Sequence, residues 1–316
     1  IRTLKKTVRW VVGIVLGVYI GTIVLLNIPN IQQAMSVFVA EELSEVLNTK
    51  VVIGRINMGL LNRIIIDDVL LDDQSGQEML KVTRLSAKFD IMPFFKGKIS
   101  ISSVQLFGFN INLRKETPDS PPNFKFVLDA FASKDTVKKE NSLDLRINSI
   151  LIRRGRMSYH VLSEEETPGK FNAKHIQLQN IIANISLKAL SKDSLNLGIK
   201  RLSLDEKASG FSLKKMSLKL VANNKQTNID NFTIELPETS LKLDTIHLEY
   251  DSLKAFDRFT EQVHFSFRTL PSQVTLKDIS PFVPILSHFK EPVTLDMEVK
   301  GTVDQLTCSH LEITAD

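Results

Sequence analysis

The chain has 316 residues, with 40 Lys+Arg, 36 Asp+Glu, 43% hydrophobic residues, 7% aromatics and one cysteine. Four of the basic residues fall in the first nine positions, which leaves the rest balanced at 36 against 36. The pI near 9.0 therefore reports one short flank and excludes a nucleic-acid surface, while the lone Cys308 excludes an internal disulfide framework.

The first element in chain order is the apolar run Trp10 to Ile28, which holds no charged side chain. About 20 apolar residues span a bilayer as a helix, so the run predicts a transmembrane anchor. Arg2, Lys5, Lys6 and Arg9 precede it, and the first charges after it are Glu41 and Glu42. The positive-inside rule then puts the N-terminus in the cytoplasm and everything from Asn27 onward across the membrane. A cleaved signal sequence fits less well. Its core is typically about 7–15 residues, and the nearest small-residue cleavage site is the poor Phe38-Val39-Ala40. Gly13, Gly17 and Gly21 fall four apart, a spacing that lets a partner membrane helix approach, although glycine is common in membrane helices generally.

Pro29 is expected to end that helix. Ile31, Ala34, Met35, Phe38, Val39, Leu43, Val46 and Leu47 then repeat at helical spacing, which predicts an amphipathic helix over 31–48. Asn48 suits its left-handed C-terminal cap. The polar face is acidic, unlike that of interfacial helices. The helix is therefore expected to cap the following sheet, with Met35, Phe38, Leu43 and Leu47 buried.

From Lys50 the period changes to two. Strands are predicted at Val51–Gly54, Ile64–Leu71 (interrupted by Asp67-Asp68), Leu80–Phe89, Lys98–Phe107 and Phe109–Lys115. Met92 to Gly97 reads as a turn, Thr117–Asn123 as a proline-rich loop, Phe124–Phe131 as a short helix and Ser133–Asn141 as a charged segment. Further strands follow at Leu143–Ile147, Ile176–Leu187, Leu195–Leu204, Phe211–Val221, Ile229–Leu236, Leu241–Tyr250, Val263–Phe267, Val293–Val299 and Leu311–Ile313. Asp278–Phe289, with Pro281 and Pro284, reads as a helical interruption. A strand so near the last residue suggests that the native chain continues.

The fold class expected is mostly β: a transmembrane helix, a cap helix and a long antiparallel sheet with one apolar and one polar face. Two such faces could close as a sandwich, or one long sheet could curl around an apolar interior. The domains expected are 1–30 (flank and anchor), 31–48 (cap helix), 49–132 (first β-unit) and 133–316 (continuing strands).

The segment Leu43 to Ile56, LSEVLNTKVVIGRI, resembles the start of the AsmA-like family. Leu60 to Asp73, LLNRIIIDDVLLDD, together with Leu85-Ser86-Ala87 and Ile99–Gly108, continues the likeness. Leu276-Lys277-Asp278-Ile279-Ser280-Pro281-Phe282 and Val299-Lys300-Gly301-Thr302-Val303 are similar to its repeats. With one membrane anchor before it and a long strand-rich chain after it, the sequence is most similar to the TamB-type members. The good match covers about a quarter of the chain. The resemblance implies an inner-membrane protein of a Gram-negative bacterium, with a periplasmic U-shaped sheet, chorein-like, whose groove carries phospholipid between the two membranes. It also implies a TamA- or BamA-type outer-membrane barrel as partner, reached through a C-terminal region not in this sequence.

No catalytic constellation is legible, and neither metal nor cofactor is expected. His160, His175, His247, His264, His288 and His310 are scattered without the spacing of H-E-x-x-H. Asp67, Asp68, Asp72 and Asp73 lack the spacing of a calcium loop and read as solvated strand ends. Two functions of different class remain: a lipid conduit, and a scaffold or holdase for outer-membrane β-barrel proteins that pairs a client strand at an open sheet edge. The residues expected to line a lipid groove are Leu218, Leu220, Phe232, Ile234, Leu236, Leu241, Leu243, Phe265, Phe267, Leu295 and Met297. Their neighbours Lys219, Thr233, Glu235, Lys242, Ser266 and Asp296 are expected to face water. Leu243→Arg is expected to leave an open groove folded and to unfold a closed core.

Overall fold

The structure, a computed structural model, describes residues 2–59, 62–90, 101–132, 148–190 and 194–315. The expected turn at 92–97 and the expected strand at 143–147 lie outside the described residues, as do Leu60, Leu61 and Ser133–Asn141. The chain divides into two compact units, Ile1–Ile111 with Asn123–Arg146, and Asn112–Pro122 with Ile147–Asp316. The sequence places a boundary at 132/133. The division differs because a single strand, Ile101–Lys115, has residues in both units.

Unit 1 begins with helix α1 (Arg2–Leu26) and helix α2 (Pro29–Leu47). Among the described residues no single helix is long and apolar enough to cross a membrane. Gly13–Leu26 and Pro29–Leu47, bent by 72° at their break, pass that test together by length and composition. Trp10, Ile14, Val15, Leu16, Val18 and Val24 are each more than half exposed. Pro29 does not simply end α1. It is the first residue of α2, where a missing N–H costs nothing and a fixed φ favours the helix. Nothing lies within 4 Å of a Cβ placed at Gly13, Gly17 or Gly21.

Strands β1 (Val51–Gly59), β2 (Arg63–Asp72), β3 (Glu78–Phe89) and β4 (Ile101–Lys115) follow. Helix α3 (Lys125–Ala132) completes the unit. Its core is Leu47, Val51, Ile53, Ile56, Leu71 and Met79, closed by Met35, Val39 and Ala40 of α2 and by Phe126, Val127 and Ala130 of α3. A polar clamp fixes α2 on β1: Gln32 Nε2 donates to Asn57 Oδ1 (2.6 Å) and Asn27 Nδ2 to the Met58 carbonyl (2.9 Å). Asn48 takes the left-handed cap at φ 47°. The expected burial of Phe38 and Leu43 fails, because Phe38 is 64% exposed and Leu43 36%. The inward face of α2 is the Gln32–Met35–Ser36–Val39 side, and small Ser36 lets the helix approach the strand. Phe38 looks away from it.

Lys98–Phe107 and Phe109–Lys115, expected as two strands, form one strand, β4, within the described residues. Gly108 joins them at φ 64°, where a Cβ would sit 2.7 Å from Thr83 Oγ1. Only glycine meets both demands.

Unit 2 contains the end of β4 and ten further strands: β5 (Ser149–Val161), β6 (His175–Leu190), β7 (Ser194–Glu206), β8 (Ser212–Asn223), β9 (Gln226–Glu235), β10 (Ser240–Glu249), β11 (His264–Arg268), β12 (Ser272–Val274), β13 (Val293–Gly301) and β14 (Leu306–Ala315). Among the described residues the hydrogen-bonded order is β1 to β11, then β13 and β12, with β14 on β13. The sheet is mixed, which corrects the expected all-antiparallel sheet. Ser158 bonds Asn112, Leu162 N–H donates to Lys115 O, and Ser163 N–H to Glu116 O. Both numbers rise together, so the end of β4 lies parallel to β5. Parallel neighbours need a long crossover, and the chain between them carries α3. The other strand pairings in unit 2 are antiparallel.

Candidate functional site

Side chains directly opposite each other on neighbouring strands project from the same face of the sheet, so the registers of unit 2 define its faces. Ile152, Ala183, Leu202, Met216, Ile234 and Leu241 pair in succession, one residue per strand from β5 to β10. Leu187, Leu197, Leu220, Ile229 and Ile246 form a second row from β6 to β10. Ile150, Ile185, Ile199 and Leu218 form a third, and Phe232 pairs with Leu243. The opposite face carries Ser217, Thr233 and Lys242 in one row and Lys219, Asp230 and Thr245 in another.

Strict alternation alone would not keep these rows on one face. Ile199 and Leu202 are three apart, as are Phe232 and Ile229, and Leu243 and Ile246. An extra residue restores the face at the first two places, and β10 follows the bent β9 with no shift of its own. The register shifts between Ile199 and Leu202 and between Ser217 and Lys219, opposite Asn231. Arg154, Asn180 and Asn231 take φ between 52° and 56°, the left-handed conformation of a bulge that bends its strand and increases its twist. The bulges thus keep an apolar lane continuous along strands of 10 to 16 residues.

The lane is only partly covered. Ile150, Ile152, Ile185, Leu187, Leu197, Ile199, Leu218, Leu220, Ile229, Phe232, Ile234, Leu241 and Ile246 are half-buried, while Ala183 and Leu243 are buried. Within unit 2 the longest helical piece among the described residues is the six-residue 3₁₀ turn Leu253–Arg258, so the described residues of unit 2 provide no helical layer for the lane.

The expected lining residues fall in two groups. Leu218, Leu220, Phe232, Ile234, Leu241 and Leu243 belong to the rows above. Leu236 is half-buried at the turn after β9, its N–H donating to Thr239 O. Phe265 pairs with Leu248 of β10 and Phe267 with Val299 of β13, and the two rings stack at 6.1 Å. Leu295 and Met297 alternate with Val299 and pair with exposed Ile313 and Leu311. Of the neighbours expected in water, Lys219, Lys242 and Ser266 are exposed, while Thr233, Glu235 and Asp296 are half-buried. Glu235 bonds Lys215 at 3.1 Å. Arg268 lies 3.8 Å from one Asp296 oxygen.

One end of the lane is built from three loops. Gly169 N–H, between β5 and β6, donates to Ala208 O, between β7 and β8. Phe171 N–H donates to Pro281 O, between β12 and β13, and the Phe282 ring packs on Phe171 (4.8 Å) and Phe211 (5.0 Å). Leu276-to-Phe282, taken from sequence as a repeat motif, thus carries a strap joining loops that are distant in strand order. Glu206, buried at 2% exposure, organises the same corner. Its carboxylate accepts from the N–H groups of Gln177 (2.9 Å), Ala208 (3.2 Å) and Ser209 (2.7 Å) and from the Ser209 hydroxyl. Burial pushes its pKa up, but these donors together hold it below the ordinary glutamate value.

Two readings of the titratable residues change. Asp67 and Asp73 are not solvated strand ends. Asp67 is buried and bonded by Arg84 Nε at 2.6 Å. Asp73 is buried, accepting from Ser75, Gln77 and Asn123. Nor are all the histidines scattered: the β5–β6 register sets His160 opposite His175, a pairing that their separation in sequence conceals. Compared with protein-family models, curated proteins and solved structures, the chain finds no match.

Proposed function

We propose that the protein is a single-pass inner-membrane protein whose periplasmic part conducts phospholipid along a curled apolar groove between the inner and outer membranes. The observation that carries this reading is the lane of half-buried aliphatic side chains, one per strand across β5 to β10, backed by a polar face. Acyl chains lose no hydrogen bonds against Leu, Ile and Phe, and each methylene removed from water contributes about 0.8 kcal/mol. Continuity matters as much as affinity, since a uniform apolar wall has no preferred register and a bound chain can slide. The bulges favour a curled sheet over a flat one, and the uncovered face favours an open groove over a sandwich. The exposed apolar surface of α1 supports a bilayer anchor, preceded by four basic residues. The likeness to the AsmA-like family, TamB-type members included, agrees with this reading. A TamA- or BamA-type barrel partner follows from that likeness alone.

A second reading has one observation in its favour. Every residue of β14 is exposed, so its edge could pair with a client strand, as a holdase for β-barrel proteins would require. The readings separate on the purified chain. A photo-crosslinking side chain at Leu220 should yield phospholipid adducts, and one at Lys219, on the opposite face, should not. Equal yields from the two positions, or adducts only with an unfolded barrel client, would sink the conduit.

A further inference from the structure

Among the described residues, one grouping of His, Cys, Asp and Glu side chains could hold a metal ion: His160, Glu166 and His175, whose candidate ligand atoms lie within 4.8 Å of one another. His160 is the last residue but one of β5 and His175 begins β6, so the hairpin register sets the two rings side by side, tilted by 51° with centroids 5.3 Å apart. Their Nδ1 atoms are 3.0 Å apart. Glu166, on the loop between them, brings Oε1 to 4.0 Å from His160 Nδ1.

The tautomer of His175 follows from its other nitrogen. His175 Nε2 lies 2.9 Å from the backbone carbonyl of Glu164. A carbonyl only accepts, so Nε2 carries the hydrogen, and neutral His175 presents a bare Nδ1 lone pair toward His160. Metal-bound histidines have this arrangement, the distal N–H donated to a carbonyl that fixes ring orientation. His175 is buried at 7% exposure, so its ring is held before any ligand arrives. Two nitrogens bound to one tetrahedral ion at about 2.0–2.1 Å sit roughly 3.3 Å apart. The observed spacing needs only a small ring rotation to reach this. The Glu166 side chain is 63% exposed and free to swing inward as third ligand. A cavity of about 180 Å³ bordered by Glu166, Asn172 and His175 leaves ample room for a water in the fourth position.

We infer that His160, His175 and Glu166 form a binding site for one divalent transition-metal ion of the zinc class. The ion would cross-link the ends of the β5–β6 loop that carries Gly169 and Phe171, the residues bonded to Ala208 and Pro281. It would thereby staple the loop corner at the end of the apolar lane.

The test uses the untagged full chain in detergent, stripped with chelator and titrated with Zn²⁺ against a chromophoric competitor, then with Co²⁺. One equivalent should bind with at least micromolar affinity, and Co²⁺ should give the intense d–d bands of a four-coordinate site. Zn²⁺ should also slow proteolysis within residues 162–174. His160→Ala should weaken binding by about 100-fold and Glu166→Gln by about 10-fold. His288→Ala, an exposed control, should change nothing. His175→Ala could disturb the fold because the ring is buried, so half-exposed His160 decides the matter, with circular dichroism confirming that the variant is folded. Absence of one-to-one binding would overturn the site and leave a direct hydrogen bond between the two rings. Undiminished binding in folded His160→Ala would overturn it equally.

Discussion

At the scale of single residues, the buried carboxylates act as organisers of turns. Glu206 accepts hydrogen bonds from three backbone N–H groups, those of Gln177, Ala208 and Ser209. Glu206→Ala strands those donors and should cost about 2–3 kcal/mol at neutral pH, measurable as a lower urea midpoint. Because its folded pKa lies below the unfolded value, its contribution is fully present above the unfolded value. It is lost as pH falls through the folded one. The wild type should therefore lose stability on acidification below about pH 4.5, and the gap between wild type and Glu206→Ala should narrow there. A gap that stays constant down to pH 2 would show that the carboxylate is not the group responsible. In unit 1, exposed Phe38 reverses the sequence expectation. Phe38→Asp should leave thermal unfolding of the detergent-solubilised chain within about 0.5 kcal/mol of wild type. If α2 rests on a bilayer, the variant should instead weaken vesicle binding.

At the scale of elements, the bulged strands of unit 2 convert interrupted sequence patterns into continuous rows. Their position in those rows decides which substitution tests the groove. Leu243, the natural choice from sequence, is 8% exposed and bridged to Thr269. Leu243→Arg should lower stability by about 3 kcal/mol or more, since its charge would be buried without a partner. Half-buried Ile234, fifth in the six-strand row, is the better probe. In Ile234→Arg the long stem can carry its charge to the open side, so cooperative unfolding should persist while lipid adducts beyond β9 disappear. A folded Ile234→Arg protein with normal lipid passage would refute conduction along this face.

At the scale of the whole molecule, the reading stands on topology. A periplasm-active reporter fused after Asn48 should be active and a cytoplasm-active one silent, with Arg2, Lys5, Lys6 and Arg9 on the inner side. The opposite result would remove the membrane assignment and with it the periplasmic groove.

The sequence by itself determined the class and most strand positions, because a period of two and turn residues are local signals. It also marked the bulges indirectly, through apolar residues three apart such as Ile199 and Leu202. Asn48 as a helix cap was likewise legible, since few residues tolerate positive φ. Tertiary structure alone decided four things. The parallel placement of β5 beside the end of β4 depends on a crossover whose destination no local pattern encodes. The inward face of α2 was set by the clamp of Gln32 and Asn57 and the small size of Ser36, not by the most hydrophobic stripe. The burial of Asp67 and Asp73 depended on distant partners, Arg84 and Asn123. The meeting of His160 with His175 arose from register, which joins residues separated by a loop that sequence spacing cannot fold. In each case the deciding contact is long-range, while the information readable in sequence is the period, the cap and the turn.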